Sequence, residues 1–313
     1  MLFAFIEEHK EEFPVRTLCR VLGVSPSGYY GRLKRPASSR TVEDGLLAAE
    51  IVSIFHEHKH RYGSPRILRV LRRRGRHVAR KRVARLMRAH GLCATAPRRW
   101  IRTTNSRHNE PIAPNRLARI FMATAPNQKW AGDITYVWTS EGWLYLAVFL
   151  DLFNRAVIGW SMNDRLDGEL ARSALRMALA MRCPKGPLVV HSDRGVQYAA
   201  GSFRQILSDW AITPSMSGKG NCYDNAVSES FFATYKKELV HRTTFDTRAA
   251  ARKATFEYIV CYYNRVRMHS TLGYLSPQEY LTDWLETLLT PSDPFGTEEV
   301  PNPSTNHVST LSG

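Results

Sequence analysis

The 313-residue chain predicts an α/β core, a mixed sheet flanked by helices, preceded by a basic all-helical part, and three observations carry that prediction. Basic residues crowd into one end: residues 1–120 hold 26 Lys and Arg against 9 Asp and Glu, while the remainder holds 18 against 19. Three β-rich runs, a helical stretch and a short apolar strand then follow in order between about residues 130 and 190, the pattern of a layered α/β domain. Acids interrupt or end those apolar runs at Asp133, Asp151 and Asp193, where a charge is costly unless paired, metal-bound or facing a cleft.

Composition limits the alternatives. With 43% hydrophobic and 23% charged residues the chain is typical of a globular protein, and its length suffices for about two domains of ~100–200 residues. No apolar run reaches the ~18–20 residues of a membrane span, so no membrane association is expected. The start "MLFAFIEEHKEEF" turns acidic too early for a secretory leader. Cys19, Cys93, Cys183, Cys222 and Cys261 are scattered with no C-x-x-C pair, which disfavours a zinc site or disulfide framework and fits a reducing, cytoplasmic setting.

The net charge of +16 resides at the amino-terminal end. Residues 1–36 predict a helix-turn-helix: Val15, Leu18, Cys19 and Leu22 form an apolar stripe, Gly23 makes the turn, and Ser25 caps a helix carrying Tyr29, Tyr30 and Leu33. Residues 44–95 predict a second, basic helical domain with Ile51, Ile54, Phe55, Ile67, Leu68, Leu71, Val83, Leu86 and Met87 inward and arginines outward. No acid occurs between His58 and Asn109, and a segment of that kind neutralises nucleic-acid phosphates. Arg72, Arg73, Arg74, Arg80, Lys81 and Arg82 are the DNA-contact candidates there. His56 and His60 share a helical face, but without further ligands they read as exposed histidines rather than a zinc site. Residues 96–125, rich in Arg, Asn, Pro and Thr, predict a basic linker that lies on DNA through Arg98 and Arg99.

The core, 126–285, begins with strands near 130–139, 143–151 and 155–162, with Glu141-Gly142 and Asn154-Arg155 at the turns. "GELARSALRMALAMR" predicts a helix, "PLVV" a buried strand that runs into His191, Ser192 and Asp193, and "NAVSESFFATYKKEL" an amphipathic helix with Glu229 in its first turns. In open α/β sheets, chemistry collects beyond the carboxyl ends of strands, which makes Asp193 a site candidate beside its alternative as a helix-capping turn. Asp133 and Asp151 compete for the companion role, and His191 reads as a packed residue at the strand end. Asn221, Asp224 and Asn225 are candidate caps for the Glu229 helix. Lys219, between Gly218 and Gly220, sits in a loop expected to close on DNA. The end of the chain, 286–313, is Pro/Ser/Thr-rich and predicts disorder.

"WAGDIT", "HSDRG" and "NAVSESFFATYKKEL" resemble the three signature blocks of DDE transposases and retroviral-type integrases, and the 35 residues between Asp193 and Glu229 match that family's spacing. More narrowly, "HSDRGVQY", "GNCYDNAVSESFF" and "YNRVRMHSTLGYLSP" resemble the second-reading-frame transposase of the third family of bacterial insertion sequences, over residues from about 15 to 282. The resemblance implies a ribonuclease-H-like core in which Asp133, Asp193 and Glu229 are catalytic and hold two Mg²⁺ or Mn²⁺ ions, hard cations that suit carboxylate oxygens. It implies metal-dependent cleavage and strand transfer of double-stranded DNA, the element's terminal inverted repeats and a target, in the cytoplasm at the bacterial nucleoid. It implies that Lys236 holds the element end near the site and that the C-terminal block, with Arg265 and Arg267, supports the core and contacts DNA. Assembly into at least a dimer is implied, as is an upstream-frame product with a leucine zipper, for which no heptad pattern is present here. A DNA-binding regulator, or a nuclease on the same fold that cuts without joining, are the rival readings.

Overall fold

The computed structural model describes residues 2–34, 36, 38–94, 111–218 and 222–289. The chain divides into two compact units at Thr95.

The first unit is all helical. α1 (Leu2–His9), α2 (Val15–Val21) and α3 (Pro26–Lys34) enclose Ile6, Leu18, Cys19 and Tyr29. Between α2 and α3 the chain reverses at Gly23, whose φ of +64° a side chain would strain. Ser25 Oγ accepts from the Gly28 N–H at 2.9 Å and starts α3, the cap expected of it. α4 (Ser39–Glu57), α5 (Ser64–Arg73) and α6 (Arg80–Ala89) pack on one another through Ile51, Ile54, Phe55, Ile67, Leu71, Val83 and Leu86, all buried. Arg72, Arg73, Arg74, Arg80 and Lys81 are exposed. Two of the DNA-contact candidates also hold the unit together: the Arg82 guanidinium meets Asp44 at 2.7 Å and Glu43 at 3.3 Å, tying α6 to α4, and that of Arg74 meets Glu57 at 2.7 Å. His60 Nε2 lies 2.8 Å from His56 Nδ1, a hydrogen-bonded pair with no metal-binding cluster of three or more such groups among the described residues.

The second unit is built on five strands: β1 (Lys129–Thr139), β2 (Gly142–Asp151), β3 (Val157–Asn163), β4 (Val189–Ser192) and β5 (Thr213–Met216). Their order is β3-β2-β1-β4-β5, with an antiparallel meander on one side and parallel β1, β4 and β5 on the other. Period-2 alternation sends opposite residues of each strand to opposite faces. Trp130, Ala147, Phe149 and Ile158 meet α7 (Gly168–Arg182), α8 (Val196–Ala199) and α9 (Gly201–Asp209). Val137, Leu146, Val148 and Leu150 meet α10 (Ala226–Glu238) and α11 (Arg248–Phe256), which continues as a π-helix over Glu257–Tyr263. α12 (Pro277–Leu289) follows. No helix among the described residues is long and apolar enough to cross a membrane.

β3 and α7 touch through backbone at Gly159, where an added Cβ would stand 2.6 Å from the Ala178 nitrogen and closer still to the Ala174 carbonyl oxygen. Neither atom can swing aside as a side chain would. Gly159→Ala is therefore expected to destabilise this unit by about 1–3 kcal/mol or more, read as a lowered denaturation midpoint with unchanged m-value.

Residues 111–125, read from sequence as linker, are a correction, because they are docked on the core. Leu117 is buried with Ala131 and Leu152, and the Arg116 and Leu117 N–H groups donate to Ser215 Oγ at 2.9 and 3.1 Å. Lys129 Nζ binds the Ile120 and Met122 carbonyls, each at 2.9 Å. Leu117 is the buried anchor, with Phe121 packed beside it and Ala113 against the main core, and three such positions leave no periodic trace in the sequence. Arg98, Arg99, Lys219, Asn221 and the tail from 290 lie outside the described residues.

Candidate active site

The site arises from a mismatch in strand length. β4 pairs with β1 only from Lys129 to Ala131, while β1 runs on to Thr139 with β2 along its other edge. Past Ala131 one edge of β1 opens into a crevice at the carboxyl end of the parallel pair. Asp133 is two residues beyond the last parallel pair, and Asp193 is the first residue after β4. Asp133 Oδ1 accepts from the Ile134 N–H at 2.8 Å. Asp193 Oδ1 accepts from the Gly195 N–H at 2.9 Å, a turn that fixes the carboxylate as the chain leaves the sheet.

Glu229 enters from the first turn of α10, whose positive dipole end favours an acid. The three carboxyl groups sense one another. Burial pushes the Asp133 carboxyl well above the usual carboxylate range, and the charges of Asp193 and Glu229 push it in the same direction, while the Ile134 N–H and Lys236 oppose. Burial lowers Lys236, and Asp133 raises it again; its ammonium group lies 4.4 Å from the centre of the Tyr136 ring. Structure thus brings together all three acids and the lysine seven residues after Glu229.

Among the described residues no three His, Cys, Asp or Glu side chains stand close enough to share one ion, so the acids flank the crevice without closing a cage. Their chemistry nevertheless fits a hard divalent cation. The donors are carboxylate oxygens, and a positive ion would offset both the burial and the repulsion from Asp193 and Glu229 that raise Asp133. The nearby Tyr198 is almost wholly enclosed, and its hydroxyl has no hydrogen-bond partner among the described residues. Burial, then Asp133 and Asp193, hold that hydroxyl far above the usual phenol range.

The competing acid takes a different role. Asp151 is buried and accepts from the Asn127 and Phe153 N–H groups, each at 3.0 Å, as the clamp of the β2–β3 turn. His191 is also structural: Nδ1 lies 2.9 Å from Ser215 Oγ and Nε2 3.1 Å from Ser217 Oγ, stitching β4 to β5 and the residues after it. Burial lowers its pKa from 6.5 to about 4. The unfolded chain therefore binds a proton that the folded one refuses, so stability present above pH 6.5 is lost as pH falls toward 4. That loss is expected to reach about 3 kcal/mol, and a pH series of denaturant melts should show it flattened in His191→Gln.

Two expectations are corrected. Asn225 occupies the N-cap position of α10, yet its side chain makes no capping bond. The buried Asp224 carboxylate instead accepts from Asn115 Nδ2 at 2.9 Å, Gly218 N at 2.8 Å and Arg119 Nε at 3.2 Å, joining the docked segment to the loop before α10. Arg267, expected on DNA, is buried, and its guanidinium meets the Glu238 carboxylate at 2.9 and 3.0 Å. Arg265 is exposed. Tyr198 and Asp224 were missed as site residues in the sequence, since an aromatic at a helical position and an acid beside Asn both have ordinary readings.

Integrase core domain models match residues 123–222 and 229–285, and an HTH-like domain model matches 41–100, the span of α4, α5 and α6. Among solved structures, the magnesium complex of the HTLV-2 integrase catalytic core (trimeric form) is 19% identical, with a TM-score of 0.39, covering 50% of this chain and 98% of that one. An intasome of simian T-cell lymphotropic virus in complex with PP2A regulatory subunit B56 gamma is 18% identical, with a TM-score of 0.43 over 85% of this chain and 80% of that one. A transposase for insertion sequence element IS904 of Lactococcus lactis subsp. lactis (strain IL1403) is 43% identical over 248 residues, 79% of this chain and 98% of that protein. Transposase InsF for insertion sequence IS3A of Escherichia coli (strain K12) is 44% identical over 282 residues, 90% of this chain and 98% of InsF. With that identity over nearly the whole relative, an integrase core and its acids at the mouth of the sheet, the chain belongs to the IS3 family of insertion-sequence transposases, DDE-type polynucleotidyl transferases.

Proposed function

We propose that Asp133, Asp193 and Glu229 hold two divalent ions, Mg²⁺ or Mn²⁺, and that the protein cuts and joins double-stranded DNA at the ends of its own insertion sequence. The observation that carries this reading is the convergence of three carboxyl groups at one crevice, with Asp133 pushed up by burial and by the charges of Asp193 and Glu229. Held by these three acids, such a metal pair would supply activation of the attacking water or 3′-hydroxyl and stabilisation of the departing oxygen in an in-line displacement. The carboxylates serve as ligands and never as nucleophiles, so no covalent protein–DNA intermediate forms. Lys236, beside Asp133 and over Tyr136, holds a phosphate of the element end against the acids.

Exposed Arg72, Arg73, Arg74, Arg80 and Lys81 supply sequence-independent phosphate contacts in the amino-terminal unit, which gives binding its salt dependence. Arg98, Arg99 and Lys219 extend this set by their charge, and Arg265 adds an exposed cation from the core. The protein acts in the bacterial cytoplasm at the nucleoid, as at least a dimer because two element ends must meet, and together with an upstream-frame product. Its working divisions are a helix-turn-helix at 1–36, a basic helical domain at 44–95, a connecting stretch from 96, the catalytic core at 126–285 and the tail.

Labelled duplexes carrying the element's end, incubated with purified protein and Mg²⁺ or Mn²⁺, test the reading on denaturing gels. Nicked and joined products from the unmutated chain, absent with chelator or Glu229→Gln, are expected. Nicking without joining would favour a nuclease, and binding without products, even after fusion to the upstream frame, would favour a regulator.

A further inference from the structure

The Tyr198 ring is held between two neighbours of the core: it makes edge-to-face contacts with Phe149 at 6.4 Å and Phe203 at 5.4 Å, and the residue is 1% exposed. A ring clamped this way has one orientation, so the direction of its hydroxyl is set by packing. That hydroxyl is enclosed yet has no hydrogen-bond partner among the described residues, and the charges of Asp133 and Asp193 act on it although it bonds neither. A buried phenol that gains nothing from its oxygen would be replaced to advantage by phenylalanine, since an unmet polar group in the interior is destabilising. The cost is explained if the hydroxyl has a partner only when the site is loaded.

We propose that Tyr198 is a positioning residue of the ion site, its O–H donating to an oxygen held between Asp133 and Asp193. This rests on the metal-binding reading of those acids. The acceptor is a carboxylate lone pair or an ion-bound water, and either way the bond orients the ligand shell from behind, as outer partners of metal ligands do. The position also accounts for the turn between Asp193 and α8. Gly195 is buried, and a Cβ there would stand 3.0 Å from Asp193 Oδ1 and 3.6 Å from the Tyr198 ring, so the glycine lets carboxylate and phenol share one corner.

The test compares the unmutated chain, Tyr198→Phe and Asp193→Asn, each as full-length protein. Thermal melts without metal and Mn²⁺ titrations followed by the electron-spin signal of free Mn²⁺ need no turnover. Tyr198→Phe is expected to raise the metal-free melting temperature by about 2–4 °C and to weaken Mn²⁺ binding about 10-fold. Mn²⁺ affinity unchanged in Tyr198→Phe, with Asp193→Asn defective, would overturn the role of the hydroxyl while leaving the metal site standing. A lower metal-free melting temperature would show a structural hydroxyl instead and overturn it as well. Absence of Mn²⁺ binding by the unmutated chain would remove both the proposal and the reading it rests on.

Discussion

Asp133→Asn is expected to reduce strand cleavage and joining by about 10³-fold or more, because several kcal/mol of transition-state stabilisation depend on a correctly held metal pair. The same substitution is expected to raise the melting temperature of the metal-free protein. Asp133 is pushed up by burial and by the charges of Asp193 and Glu229, so its ionised form opposes folding until a cation joins it. Asparagine keeps the size and still accepts from the Ile134 N–H, but brings no charge. Activity and stability moving in opposite directions would mark Asp133 as a ligand, whereas a purely structural acid would lose both together. Parallel single-turnover assays and melts of the one variant supply both readings.

Arg267→Ala is expected to destabilise the core by about 3–5 kcal/mol, the cost of stranding the buried Glu238 carboxylate. Only 6% of Arg267 is exposed, and Glu238 draws its guanidinium further toward the charged form, against the effect of burial. The double replacement Arg267→Met with Glu238→Leu should recover most of that loss, since a buried ion pair and an apolar pair of similar volume are often close in energy. Recovery should stop short of complete because Tyr258 donates its hydroxyl to Glu238 Oε2 at 3.0 Å and would lose its acceptor. Denaturant titrations of the two single variants and the double close this cycle.

These two residues also show what the sequence reveals and what it hides. Asp133 is visible because a charge inside an apolar strand violates the local pattern, and the 35 residues to Glu229 from Asp193 give the spacing a reference. The meander, α7 and α10 are visible because period-2 runs and a helical stripe span enough residues to be unambiguous. Arg267 is hidden because its partner stands 29 positions away at the end of α10, and an arginine in a basic protein reads as surface until that partner is seen. The docking of residues 111–125 is hidden for a related reason: it depends on Leu117 and on hydrogen bonds to a distant serine, neither of which leaves a periodic trace. Tyr198 is the extreme case, since its apolar ring satisfies every pattern of a core residue while its oxygen does not.

The pairing of β1 has a consequence for how the molecule comes to be. Its long antiparallel contact with β2 forms between neighbours in the chain, whereas its short parallel contact with β4 must wait until β2, β3 and α7 have been threaded between them. Loop closure over that span is slow, so the hairpin side is expected to be structured in the folding transition state and the β4 side to join later. Asp133 belongs to the early half and Asp193 to the late half. The two acids first face each other when the last strands register, and a chain caught before that step has the shape of a sheet without the means to react.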